Sequence, residues 1–135
     1  MKVYIDSSAY LSVLMLHDPN NKKAVEILRL ILRNKEELVT SYAVIGEILT
    51  VSSQKYDRDK GISYVENIIE SGIEIVLEST DLLKRAFRIF GEIGDKDVGW
   101  VDCYSFAIIE AHKIEKAFSF DRDFKRYAKV KILGS

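Results

Sequence analysis

Short β-rich runs recur along this chain of 135 residues, and between them the apolar residues return at three- and four-residue spacing. Lys2 to Ile5, Glu37 to Thr40, Ile73 to Leu77, Ala117 to Phe120 and Val130 to Leu133 read as strands. A side-chain period of two that repeatedly gives way to one near 3.6 dictates alternating strands and helices. Parallel strands need such helical crossovers, because a tight turn cannot join them. The expectation is therefore an α/β fold of three layers, with helices covering a central, mainly parallel sheet. No repeat, low-complexity tract or linker interrupts the pattern, so residues 1–135 read as one domain.

The intervening helices carry their own start and stop signals. Ser7 and Ser8 are good N-caps for a short helix over Ala9 to Leu16. Asp18-Pro19 signals the start of a second, with Ala24, Ile27, Leu28, Ile31 and Leu32 on one face. Ser41 is placed to cap a third helix reaching about Gln54. A fourth, around Asp59 to Glu70, carries Ile62, Val65, Ile68 and Ile69 and stops at Gly72. Ser79 or Thr80 caps a fifth with Leu83, Ala86, Phe87 and Phe90, closed near Gly94. Val98 to Ile114 contains a sixth, and a short helical turn precedes the last strand.

Composition excludes several classes. Hydrophobic residues at 47 % and charged residues at 30 % can build a core, which excludes a disordered chain. Cys103 is the only cysteine, so neither an intrachain disulfide nor a thiolate metal cluster can form. No apolar run approaches the roughly 20 residues that span a bilayer. The chain goes from Met1-Lys2 straight into an apolar strand, with no signal peptide ahead of it, so a cytoplasmic protein is expected. The net charge of −1 gives no bulk attraction for nucleic acid, and any such role must rest on local arrangement.

Four carboxylates stand out by their surroundings. Asp6 and Asp121 each follow a strand, and in a parallel sheet both emerge at the carboxyl edge, where ligands bind. Taken singly, either could equally be the cap of the helix after it. Glu47 lies in Tyr42-Ala43-Val44-Ile45-Gly46-Glu47-Ile48-Leu49, with Val44, Ile48 and Val51 on its side of the helix. A carboxylate there is partly buried on almost any docking, so it needs a lysine or arginine partner or a cation. Asp102 is the only charge between Asp97 and Glu110. The helix dipole accounts for an acid near a helix start, but not for such apolar surroundings.

Converging carboxylates repel one another, and a divalent cation reverses the sign of that energy. Oxygen ligands without His or Cys point to Mg²⁺ or Mn²⁺ and away from zinc. His17 and His112 stand in no ligand spacing. Such an ion, retaining waters, suits hydrolysis of a phosphodiester.

In order and spacing these motifs resemble the PIN-domain family, in particular the VapC-type toxins of prokaryotic toxin–antitoxin modules. The matching segments are Tyr4-Ile5-Asp6-Ser7-Ser8-Ala9, Ser41 to Leu49, Val101-Asp102-Cys103-Tyr104-Ser105-Phe106-Ala107 and Ala117-Phe118-Ser119-Phe120-Asp121-Arg122-Asp123-Phe124. The likeness covers essentially the whole chain. It implies an α/β/α endoribonuclease dependent on Mg²⁺ or Mn²⁺, with Asp6, Glu47, Asp102 and Asp121 as the acidic quartet. It also implies hydroxyls near the metal at Ser8 and Ser119. Asp123 is read either as a supporting ligand or as a surface charge. Trp100 is expected in the core, with shaping of a substrate groove as the alternative.

The resemblance further implies an RNA substrate, a cognate antitoxin and a homodimer, whose interface is assigned to the amphipathic helices between Asn20 and Ile69. Arg122, Lys125 and Arg126, followed by Lys129 and Lys131, form a basic group after Asp121, where phosphate contacts are useful. Lys84, Arg85 and Arg88 are read as a solvated helix face, and Tyr104 and Tyr127 as packing residues. Two other readings keep the fold: a nuclease of ribosomal RNA processing, or a PIN-like binding protein without turnover. Haloacid-dehalogenase-like and receiver-domain readings fit poorly, because Ser8 stands where the former need a second aspartate and Asp6 lacks the latter's acidic neighbour.

Overall fold

The computed structural model describes residues 1–134. Its elements run β1 (Lys2–Ile5), α1 (Ser7–Leu14), α2 (Asn21–Arg33), β2 (Glu37–Ser41), α3 (Tyr42–Lys55), α4 (Arg58–Glu70) and β3 (Glu74–Val76). They continue α5 (Thr80–Ile93), α6 (Trp100–Ala111), β4 (Lys116–Phe118), α7 (Arg122–Tyr127) and β5 (Lys131–Leu133). The five strands form one sheet in the order β3-β2-β1-β4-β5, and every pairing is parallel. The expected α/β/α architecture is present, and the sheet is wholly rather than mainly parallel among the described residues. The chain winds outward from β1 in one direction, then returns to lay β4 on β1's other side. That reversal puts a topological switch point between β1 and β4, where a crevice opens at the strands' carboxyl ends.

The central strand is the most buried. Val3, Tyr4 and Ile5 have no exposed surface, as a strand covered on both faces requires. The edge strands β3 and β5 are only three residues long, which limits the unpaired edge they present.

Several boundaries differ from those the sequence suggests. The first helix begins at Ser7, not Ala9, because Asp6 takes the capping role assigned to the serines. Pro19 lies ahead of α2, not in its first turn. Asp18 Oδ1 accepts from Asn20 N–H at 2.8 Å, and the Asn21 amide closes α1 by donating to the carbonyls of Ser12 and Val13. β4 stops at Phe118, since the N–H groups of Phe120 and Asp121 are taken by the hydroxyls of Ser8 and Ser119 instead of a neighbouring strand. Ser41 and Ser79 cap α3 and α5 as expected, accepting from Val44 and Leu82 N–H.

The inward faces of the helices are narrower than their apolar stripes. On α5 the buried residues are Leu82 and Ala86, with Ile89 and Ile93 partly buried, while Leu83, Phe87 and Phe90 are exposed. Leu32 on α2 and Ile62 and Ile69 on α4 are exposed as well. Each of these stripes spans more of the helix circumference than one docking surface can cover, so spacing alone cannot say which part faces the core.

α3 and α4 pack tightly at Gly61. A Cβ there would lie 2.5 Å from Ser52 Cβ and 2.8 Å from Ser52 Oγ, and Ser52 is fully buried. Gly→Ala inside a helix ordinarily gains about 0.5–1 kcal/mol; at this contact overpacking reverses the sign. Gly61→Ala is expected to cost about 1–3 kcal/mol in urea unfolding, and adding Ser52→Gly should restore part of it. A stabilised Gly61→Ala variant would mean that the two helices do not meet here as described.

Candidate active site

The acidic residues gather at the switch point. Asp6 leaves β1 in an extended conformation and caps α1, its Oδ2 accepting weakly from Ser8 N–H at 3.4 Å. The same oxygen accepts from Ser8 Oγ at 2.8 Å and from Ser119 Oγ at 3.0 Å. Each serine has one hydroxyl proton, and both are spent on this oxygen. The 3.2 Å contact between the two serine oxygens is therefore proximity without a bond of its own. Asp6 is only 2 % exposed, and its other oxygen, Oδ1, is buried without a hydrogen-bond partner.

Asp102 comes from the first turn of α6, as the sequence suggests. Asp121 caps α7, its Oδ1 accepting from Asp123 N–H at 2.8 Å. Asp102, Asp121 and Asp123 each offer a carboxylate oxygen, and these three lie within 4.8 Å of one another. Asp123, open between two readings from sequence, thus belongs to the cluster geometrically. Asp6 and Glu47 stand outside that tight trio, yet close enough for both to raise the pKa of Asp102. Glu47 is half-buried on α3 and accepts a short hydrogen bond from Ser7 Oγ.

Among the described residues the ion pairs lie elsewhere, and none includes Asp6, Glu47, Asp102, Asp121 or Asp123. The ion-pair alternative for Glu47 therefore does not hold. Burial pushes Asp6 up to about 6, against the lowering effect of the Ser8 and Ser119 hydroxyls, and Glu47 raises it further. Asp102 is pushed up to about 8, first by burial and then by Asp6, Asp121, Glu47 and Asp123. Asp123 is also raised, by burial and then by Asp121 and Asp95, with Arg126 and Arg122 opposing.

The donor set fits a hard divalent cation. Every candidate ligand is a carboxylate oxygen, Asp6 Oδ1 is buried and unpartnered, and Asp102 has no hydrogen-bond partner among the described residues. The histidines are exposed, and His112 caps the end of α6 opposite Asp102.

Arg122, Lys125 and Arg126 are exposed on α7, directly after Asp121, and are in no ion pair among the described residues. Arg85 and Arg88, by contrast, pair with Asp81, Glu92 and Glu110, as a solvated helix face does. Trp100 is not a core residue: it opens α6 at 40 % exposure, edge-on to Phe90 and Tyr104. The first residue of a helix at the rim of the crevice has no layer above it to pack against. Tyr104 is buried, and Tyr127 donates to Asp95 at 3.2 Å. Ser7 and Asp95 were not legible as site neighbours. Ser7 reads locally as a cap, and Asp95 sits in a loop whose path only the tertiary fold reveals.

A sequence model of the PIN domain matches residues 3–130. No curated protein matches the chain. Among solved structures, the fold is similar to that of Mycobacterium tuberculosis VapC20, described as a sarcin–ricin loop cleaving toxin. The TM-score is 0.81 at 19 % identity, covering 92 % of this chain and 93 % of that one. It is also similar to a chain of VapBC2 from Rickettsia felis, bound to a DNA fragment from its promoter, with TM-score 0.74, 17 % identity and coverage of 98 % and 97 %. DNA-bound VapBC from Salmonella typhimurium gives 0.70 at 16 % identity, covering 98 % and 96 %.

The raised carboxylates make stability depend on pH. An unfolded aspartate titrates near 3.9, so between about pH 4 and pH 8 the folded protein without metal holds more protons than the unfolded chain. Stability then falls as pH rises through that window. In chelator, the melting temperature is expected to be several degrees higher at pH 5.5 than at pH 8.5, and Asp102→Asn should flatten the dependence. A melting temperature that rises with pH over this range would mean that the carboxylates are neutralised by something other than protons.

Proposed function

This chain belongs to the PIN-domain family, and from that premise we propose that it is an Mg²⁺- or Mn²⁺-dependent endoribonuclease, the toxin of a toxin–antitoxin pair. The observation that carries the reading is the convergence of carboxylates at the switch point with no basic side chain among the described residues ion-paired to them. A purely structural site would not bury Asp6 and Asp102 among further acids that raise their pKa values. A site that receives a cation would.

In this reading Asp6, Asp102 and Asp121 hold the ion, supported by Asp123, and Glu47 completes the quartet from α3. When bound there, such an ion would supply positive charge at the scissile phosphate and a more acidic water for phosphodiester hydrolysis at neutral pH. Ser8 and Ser119 orient Asp6 by bonding one oxygen and leaving the other free. Ser7 steers Glu47 in the same manner. Arg122, Lys125 and Arg126 flank the acids, and phosphate contacts there would position the strand without reading its bases.

The partners follow from the family likeness. The similarity to chains of VapBC assemblies supports a cognate antitoxin. A homodimer is part of the same reading, and exposed Leu30, Leu32, Ile62 and Ile69 on α2 and α4 supply apolar surface within the stretch assigned to it. No helix among the described residues is long and apolar enough to cross a membrane, and the proposed site of action is the cytoplasm.

The chemistry of the cut is testable. No histidine stands in the acidic cluster to activate the RNA's own 2′-hydroxyl, so water is the nucleophile and the ends should be 5′-phosphate and 3′-hydroxyl. Cleavage of a labelled single-stranded RNA with Mn²⁺, read by mass spectrometry, should show these ends. Asp6→Asn, Glu47→Gln, Asp102→Asn and Asp121→Asn should each reduce the rate by about two or more orders of magnitude, with native circular dichroism. Cyclic phosphate ends, or cleavage that persists in chelator, would contradict the mechanism. Full activity in Glu47→Gln would remove Glu47 from the quartet.

A further inference from the structure

Tyr4 is fully buried two residues before Asp6, so strand alternation sends both side chains to the same face of the sheet. Its hydroxyl lies 2.6 Å from Ser105 Oγ and donates to Ser41 Oγ at 3.1 Å. Because the single tyrosine proton goes to Ser41, the short contact has Ser105 as donor. Ser41 and Ser105 are themselves fully buried, so three hydroxyls satisfy one another in the core.

Their locations give this network its meaning. Ser105 is three residues after Asp102 on α6, hence on the same helix face. Ser41 is the cap of α3, the helix that carries Glu47. The Tyr4 ring also stacks on Phe124 of α7, at 6.5 Å between centroids and 17° between planes, and α7 is the helix that Asp121 caps. One side chain on β1 thus contacts α6, α7 and the residue that caps α3. Buried hydroxyls contribute little net stability over apolar groups of the same shape. What they add is direction, since a hydrogen bond fixes separation where apolar contact lets helices slide.

We propose that the Tyr4 hydroxyl, through Ser105 and Ser41, is the positioning group that sets how α6 and α3 present Asp102 and Glu47 to Asp6. The inference rests on the nuclease reading and deepens it. Tyr4 touches neither substrate nor cation and acts only through the acids' placement.

The test compares wild type, Tyr4→Phe, Ser105→Ala and the double variant. Free Mn²⁺ is measured by electron paramagnetic resonance, melting by calorimetry in chelator, and RNA cleavage by steady-state kinetics. Tyr4→Phe is expected to fold, because Ser105 can turn its hydroxyl to the carbonyl one helical turn earlier. Mn²⁺ affinity and kcat should each fall about tenfold, with KM for RNA unchanged and melting in chelator close to wild type. Ser105→Ala should reproduce part of the loss, and the double variant should be no worse than Tyr4→Phe, which already breaks the Ser105 bond together with the one to Ser41. Should Tyr4→Phe fail to fold, Ser105→Ala alone decides the matter. Wild-type Mn²⁺ affinity and kcat in Ser105→Ala and Tyr4→Phe would overturn the inference while leaving the nuclease reading intact. A wild type that binds no Mn²⁺ would overturn both.

Discussion

Asp6 sits at the end of the central strand with almost no exposure, one oxygen bonded to two serine hydroxyls and the other bonded to nothing. Burying an ionised carboxylate without a partner costs several kcal/mol, and here the neighbours that crowd it are other carboxylates. The rest of the site is organised around that unfavourable arrangement. Ser8 and Ser119 relieve part of it through hydrogen bonds, and the raised pKa of Asp102 lets a proton there relieve more. A divalent cation would relieve it further, and among the described residues no lysine or arginine is ion-paired there in its place. In the proposed reading, stability and cation binding are set against each other at one point, with the sheet as the scaffold that enforces the conflict.

The scaffold enforces it through topology. Parallel strands put all their carboxyl ends on one edge, and the order β3-β2-β1-β4-β5 makes β1 and β4 neighbours at the reversal. Asp6 and Ser119 are then forced side by side although they are 113 positions apart in the chain. Asp121 follows two residues later, its N–H held by Ser119. The third and fourth acids come from helices, which docking can shift, and so need separate restraint. Ser7 restrains Glu47 directly, and the buried hydroxyls around Tyr4 tie both helices to the central strand.

Much of this was legible in the residues because local chemistry decided it. The β-rich runs, the caps at Ser41 and Ser79 and the stop at Gly94 needed no tertiary information. The convergence of Asp6 and Asp121 followed once parallel pairing was inferred. The cap of α1 stayed open between Asp6 and the serines because Ser7 and Ser8 cap equally well by local propensity, and only the site shows their hydroxyls turned to the acids. Of the expected α5 stripe Leu83, Ala86, Phe87 and Phe90 only Ala86 is buried, since Leu82, Ala86, Ile89 and Ile93 form as regular a stripe. Asp123 stayed open because its distance from Asp102 depends on how α7 and α6 pack, which no spacing encodes.

The central claim is that these carboxylates share a divalent cation. Anomalous diffraction from crystals soaked in Mn²⁺ tests it most directly, because the signal locates the ion independently of any activity. The account expects an anomalous peak at the switch point, with Asp6, Asp102 and Asp121 among its ligands, lost in crystals of Asp102→Asn. An ordered site without a peak at saturating Mn²⁺, or a lysine or arginine side chain bridging the acids in its place, would contradict it.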